Sequence, residues 1–287
     1  MTMQQFEDEP QLFPELLCVK SSQREIEQSQ GITGFGNFRA IGVGEDVQYD
    51  TISQAYAKTF RHVRYGLGFK VDKTLVEDDK WGLMARMAKE LGRSAHHSQE
   101  IQAAAIFNNG FSSSDPAYLG PDGKVLFASD HPMPGRGAAQ SNVMTAAQLG
   151  TTSLQAALVA LTLQRDYSNK LVRIKADKLL VHPALQYLAL ELTKSDKDPH
   201  SGNNAINALK YGRAGLPTPY TWPFLTSTTA WFILPQAKDC GVIWWNRTKR
   251  YTTGTVDHDS EAAKTAMRYR VSVGIESWQG MVGNAGA

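Results

Sequence analysis

A chain of 287 residues can bury a large core as one domain or two, so it needs no disulfide or metal to fold. Hydrophobic residues at 42% against 20% charged, with six Trp and eleven Phe, exclude a disordered chain. A net charge of +2 is too mild for a dedicated nucleic-acid binder, and no apolar run approaches the roughly 20 residues of a membrane span.

The first forty residues are polar and read as an extended arm that ends in the glycine-rich stretch GITGFGNF. Its opening, MTMQQFEDEP, is acidic where a secretory leader would be basic. Within residues 1–30 the carboxylates Glu7, Asp8, Glu9, Glu15, Glu25 and Glu27 outnumber Lys20 and Arg24. Residues 47–76 alternate apolar and polar in short runs, with Gly66 and Gly68 as bend or bulge sites. They are expected to form a long two-stranded excursion; the alternative is that both strands join the main sheet. An isolated ribbon is marginal in water and needs neighbours. Within it residues 56–73 are basic, with Lys58, Arg61, Arg64, Lys70 and Lys73 against Asp72. Opposite fields on two such segments suit contacts between subunits, so Glu7, Asp8 and Glu9 on the arm and the five bases on the hairpin are candidate inter-subunit contacts.

From Asp78 to Asn109 one long helix is expected, opened by Glu77, Asp78 and Asp79 where the dipole favours negative charge. Leu83, Met84, Met87, Ala88, Leu91, Ala95, Ile101, Ala104, Ala105 and Phe107 recur at helical spacing, marking one face as buried. A loop region follows, with a tight turn at Asp122-Gly123 and a short strand expected over Lys124 to Ala128. An α/β segment comes next: a helix capped by Thr152 or Ser153, a buried strand from Lys178 to Val181, and a helix from Ala184 to Leu192. Residues 195–220 form a polar loop whose length marks it as functional or mobile. The remainder is β, over Thr229–Leu234, Val242–Trp245, Tyr251–Val256 and Met267–Trp278.

No set of residues with catalytic or metal-binding spacing emerges. Adjacent His96 and His97 point about 100° apart on a helix and cannot share a metal as an i, i+4 pair does. Ser129, Asp130 and His131 are consecutive, whereas triads are assembled from distant positions, so a turn stopped by Pro132 is the better reading. Asp257-His258-Asp259 lacks the Gly and Glu of a calcium loop, and no phosphate-cradling loop or nucleophile elbow is present. Cys18 and Cys240 lack metal-ligand spacing and read as free thiols.

Taken in order, the arm, the excursion, the strut helix, the loop with Asp122-Gly123 and His131-Pro132, the α/β segment and the long final strand resemble the major capsid proteins of tailed phages, the HK97-like fold. Asp78-Asp79-Lys80-Trp81-Gly82, Gly92-Arg93-Ser94-Ala95, Glu100, Asn109-Gly110-Phe111 and Phe127 look like the Mu-like major head subunits. The closing Tyr269-to-Gly280 stretch, with Asn284 and Gly286, continues the likeness across nearly the whole chain. Two features depart from it: Trp278-Gln279 stands where a basic residue is expected before the glycine, and no long charged helical extension acts as a built-in scaffold.

The resemblance implies an α+β fold with an N-terminal arm at 1–40, an extended E-loop hairpin at 41–76, a peripheral domain at 77–145 with 246–287 carrying the spine helix 78–109, and an axial α/β domain at 146–245. It implies a structural protein without catalytic, cofactor or metal sites, self-assembling into pentamers and hexamers of an icosahedral shell around double-stranded DNA. Its partners would be copies of itself, a separate scaffolding protein, a portal, decoration proteins, and DNA through weak non-specific contact, with no membrane. It would reside in the virion after assembly in the bacterial host cytoplasm. Rival readings are a bacterial nanocompartment shell of the same fold and a metal-dependent hydrolase using His131, His182 or His258.

Overall fold

The computed structural model describes residues 10–78, 82–134, 137–197, 206–211, 216–257 and 261–287. Its elements follow as α1 (Phe13–Leu16), β1 (Cys18–Ser21), β2 (Ile26–Ile32), β3 (Gln54–Arg61), β4 (Val63–Val71), α2 (Lys73–Glu77), α3 (Leu83–Asn108), α4 (Thr151–Leu163), β5 (Lys178–Val181), α5 (Gln186–Lys194), α6 (Ala208–Tyr211), β6 (Thr218–Thr221), β7 (Trp231–Leu234), β8 (Val242–Val256), β9 (Ala263–Ile275) and β10 (Val282–Asn284). They form a sheet ordered β1-β8-β9-β4, a smaller sheet ordered β10-β7-β5-β6, and a separate ribbon of β2 with β3.

Alternation along the strands explains how one chain builds two cores. Successive strand residues face opposite ways. Leu180, Phe232 and Leu234 therefore join the core beneath α3 and the larger sheet, while their neighbours Leu179, Val181, Trp231 and Ile233 join a second core with α4 and α5. Both β5 and β7 are buried on both faces, which is why Leu179–Val181 and Trp231–Leu234 read as unbroken apolar runs. Trp222, Trp231, Trp244 and Trp278 are all enclosed.

The strut helix is α3, 26 residues and ~39 Å at 1.5 Å per residue, lying on β9 and β4. Leu91, Ala95, Ala103, Ile106 and Phe107 are its buried apolar face, and Gln102 Nε2 donates to the Tyr269 hydroxyl at 3.1 Å. Its start differs from the expectation. Gly82 sits in the left-handed region (φ 62°) and the helix begins at Leu83. Asp78 instead closes the short α2, whose N-cap is Asp72, and Asp79 lies outside the described residues.

Several other expectations are corrected. The strands expected to pair with each other over 47–76 do not: a single residue, His62, separates β3 from β4, too few for a hairpin turn. β3 pairs with β2 from the arm, while β4 lies antiparallel to β9 in the larger sheet. The arm is less independent than its composition suggests. Phe13, Leu16 and Leu17 are buried, Phe13 packs against Trp244 at 4.5 Å between ring centroids, and β1 runs parallel to β8. No strand forms over 124–128; Val125 makes a lone bridge to Leu119, and Asn142 pins the stretch by accepting from Ala128 N–H and donating to the Leu126 carbonyl. The two strands expected at 242–245 and 251–256 are one continuous β8, with irregular register between Asn246 and Tyr251. The closing strand expected over Met267–Trp278 is β9, Ala263–Ile275, after which β10 pairs with β7 in the smaller sheet. The helix expected from Ala184 begins as a 3-10 turn at Pro183–Leu185 and continues as α5. Of the loop at 195–220, residues 198–205 and 212–215 lie outside the described residues.

Candidate assembly surfaces

The ribbon is the most exposed part of the fold. Its root is held on the face of the larger sheet that points away from α3: Phe60 packs against Trp245 and closes on Gly274, and His62 bridges Ser22 and Ser272 through its two ring nitrogens, each at 3.0 Å. Farther along, Ser29 meets Glu276, and Tyr56 meets Tyr167 edge-on at 6.4 Å. Beyond this the connection at residues 33–53 has little cover. Phe38, Val43 and Tyr49 are almost wholly exposed, and Phe35, Ile41, Val47 and Ile52 are exposed beside them. So many uncovered apolar side chains in one segment mark a contact site on a soluble protein.

The expected charge contacts divide on inspection. Glu7, Asp8 and Glu9 lie outside the described residues. Lys58 is half-buried and donates to the carbonyls of Pro116 (3.1 Å) and Leu119 (2.7 Å), and burial holds its pKa below the usual lysine value. Lys70 faces Asp257 at 3.8 Å and Lys73 pairs with Glu261 at 2.7 Å, both at the surface. Arg61 and Arg64 are exposed, and among the described residues neither forms an ion pair.

Arg64 belongs to a group the sequence reading missed. It stands opposite Arg270 across the β4-β9 pair, and Gly66 stands opposite Arg268. The only signal for these was the alternation Arg268-Tyr269-Arg270, in which the tyrosine is buried under α3 and the arginines take the other face. Burial, and then the positive charge of Arg270, holds the His62 pKa below the ordinary imidazole value; Arg247 adds to this and Glu27 opposes it.

The histidines weighed for chemistry occupy structural positions. His131 is buried with Nδ1 at 2.6 Å from Asp122 and Nε2 at 3.0 Å from Asn142, its ring stacked on Trp278 at 4.5 Å. His182 Nδ1 accepts from Ala184 N–H at the start of a helical turn, His97 packs edge-on against Phe224, and His258 lies outside the described residues. Among the described residues no three His, Cys, Asp or Glu groups converge in a way that would hold a metal. Cys18 and Cys240 are free, and burial pushes the Cys240 thiol up to about 12. No helix among the described residues is long and apolar enough to cross a membrane.

The sequence singles out Glu100 only within the likeness to head subunits and gives no role for it. Glu100, on the core side of α3, accepts from the backbone N–H of Leu12 (2.7 Å) and Phe13 (3.3 Å) and from Trp222 Nε1–H (2.7 Å). One side chain thus fastens the arm and the 222–225 turn to the long helix.

A long helix laid across a mixed sheet, a second smaller sheet with its own core and a ribbon with uncovered apolar residues suit a shell-building subunit. The fold is the HK97-like capsid fold: the chain is similar to the subunit in the procapsid of bacteriophage JBD30 (TM-score 0.52, 17% identity, 97% of this chain and 69% of that one). It is likewise similar to the mature capsid of bacteriophage PhiM1 (0.61, 11% identity, 96% and 87%) and to the capsid of the native GTA particle (0.60, 9% identity, 99% and 93%). A family model described as phage capsid protein matches residues 55–284, and the chain belongs to that family. Its role is structural and not enzymatic. No curated protein sequence matches the chain.

Proposed function

We propose that this chain is the major head subunit of a tailed phage, of the Mu-like kind, forming pentamers and hexamers of an icosahedral shell around double-stranded DNA. The observation that carries the reading is the ribbon tip: Phe38, Val43 and Tyr49 have almost no cover within their own chain, and only association removes that apolar surface from water. The likeness of residues 78–82, 92–95, 109–111 and 269–280 to Mu-like head subunits supports the narrower assignment. Assembly takes place in the bacterial host cytoplasm with a separate scaffolding protein and a portal, and decoration proteins bind the finished shell. DNA is held by weak, sequence-independent contacts.

We assign the E-loop to the β2-β3 ribbon and its tip, residues 26–61, in place of 41–76. The arm then ends near residue 25, the peripheral domain is built on α3 with the larger sheet, and the axial domain on the smaller sheet with α4 and α5. Arg61 at the ribbon root and Arg64 beside it, both exposed, are the cations of the five available to Glu7, Asp8 and Glu9 of a neighbouring arm. Electron microscopy with nucleic-acid quantification, on particles purified from cells that express the chain with its scaffolding, portal and packaging proteins, tests the reading. Closed shells of phage-head size that package DNA are expected. Small particles filled with a cargo enzyme would instead indicate a nanocompartment, and a protein that never leaves the monomeric state would refute both.

A further inference from the structure

We infer that the larger-sheet face around Arg247 and Arg270 is a binding site for a short phosphate-class anion, of which inorganic pyrophosphate is the simplest that fits. The inference stands apart from the shell-subunit reading, because it concerns the subunit by itself.

Strand register gathers the cations. Arg64 on β4 stands opposite Arg270 on β9. On its other side β9 meets β8 with one residue to spare: Asn246 pairs with Val271 and Thr248 with Arg270, so Arg247 is a bulge residue beside Arg270. Adjacent strands lie about 4.8 Å apart, so the three arginines make a row about 10 Å long across β4, β9 and β8. Arg268, two residues along β9, shares the face, and Gly66 opposite it leaves room for its stem, since a Cβ there would stand 3.1 Å from Arg268 Cγ. Like charges directly opposite destabilise a sheet. Among the described residues none of these four arginines forms an ion pair, whereas Lys70 and Lys264 farther along the same two strands share Asp257. Glu27, the carboxylate that faces His62, already accepts from the Ser22 hydroxyl at 2.7 Å.

The donors left over call for an acceptor from outside the chain. Arg247 Nε and, two residues earlier on β8, Trp245 Nε1 are buried N–H groups with no acceptor among the described residues. Buried donors are nearly always paired, and an unmet one is costly. Arg270 Nε donates to the His62 carbonyl at 3.5 Å, which holds its stem at the ribbon root and leaves its terminal nitrogens without a partner among the described residues. Burial is the first cause of the lowered His62 pKa, and the charges of Arg270 and Arg247 both add to it, so the two guanidinium groups reach one neighbourhood. Guanidinium forks match the oxygens of a phosphoryl group two at a time. A row of this length takes more than one phosphoryl group, so pyrophosphate binds more tightly than orthophosphate. The anion neutralises the row and supplies the acceptor that the buried donors lack. Arg64, at the exposed end of the row, stays within reach of a neighbouring arm.

The test titrates the purified full-length subunit with inorganic pyrophosphate at constant ionic strength, following the heat of binding and the melting temperature. A single saturable site is expected, with a rise in melting temperature that sodium chloride of equal ionic strength does not reproduce. Arg247→Gln with Arg270→Gln is expected to weaken binding at least about tenfold, the loss of one charge-assisted hydrogen bond or more. Arg250→Gln, whose charge lies beside Tyr269 on the helix side of the sheet, is expected to leave it unchanged. If the double variant does not fold, the unaltered chain decides: with isotope-labelled tryptophan, the indole N–H signal that Trp245→Phe removes should move as pyrophosphate is added. An indole signal that stays in place, full affinity in the arginine pair, or an equal rise with chloride overturns the proposal. So does duplex DNA that displaces pyrophosphate at equal phosphate concentration, which would mark the face as a nucleic-acid contact.

Discussion

Replacing Glu100 should detach the arm from the body of the subunit. Its carboxylate is buried and serves three donors, Leu12 N–H, Phe13 N–H and Trp222 Nε1–H. In Glu100→Ala all three lose their acceptor, and each buried donor left unmet costs about 1–3 kcal/mol. The carboxylate's own desolvation is relieved and water can enter the space, so a net loss of about 2–4 kcal/mol is expected. Glu100→Gln keeps the shape but replaces one acceptor oxygen with a donor nitrogen, and about half that loss should follow. Urea denaturation of the purified subunit measures the loss, and limited proteolysis locates it. Cleavage should rise between Pro10 and Ser22, because α1 and β1 keep their apolar contacts but lose the anchor that fixes their start. Trp222→Phe removes one donor together with part of a buried ring; a double-mutant cycle with Glu100→Gln cancels that packing loss and should give a coupling of about 1 kcal/mol. A loss below about 0.5 kcal/mol in Glu100→Ala, within the range of ordinary surface substitutions, would refute the tether.

Three further outcomes are expected. Asp122→Ala strips buried His131 of its hydrogen-bond partner at Nδ1 and should cost about 1–3 kcal/mol, measured by denaturant titration, with Asp122→Asn less severe. Gly283→Ala places a Cβ 2.6 Å from the Phe127 ring, inside a cluster of stacked aromatics, and should lower stability by about 1–3 kcal/mol. The lowered pKa of His62 means that the unfolded chain binds a proton more readily there than the folded one, so its contribution to stability is intact above the ordinary imidazole value near 6.5 and falls as pH drops below it. His62→Gln should flatten that part of a stability profile measured between pH 7 and pH 5; an unchanged slope would show that His62 is not its source.

What could be read from the sequence follows from which residues bury a continuous face. The long helix, the strands at 178–181 and 231–234 and the 267–275 part of β9 were legible because their apolar residues follow the pattern of the element and meet a core. β2 was not, since Ile26–Ile32 (IEQSQGI) alternates exposed with half-buried positions and buries neither face. Without that strand, the alternation in β3 and β4 suggested that those two paired together. β1 was missed for a related reason: four residues carry too short a pattern, and the burial of Phe13, Leu16 and Leu17 beside them depends on Glu100 and Trp244, more than eighty residues away. The charge reading was sound in sign but assigned by segment. Lys58, Lys70 and Lys73 find partners inside the chain only because the fold brings residues 116–119, 257 and 261 beside them. The cations left over are defined by strand register, which sets Arg64 opposite Arg270. Segment charge therefore indicates that a surface will seek a partner, and only the pairing of strands decides which side chains remain free to meet it.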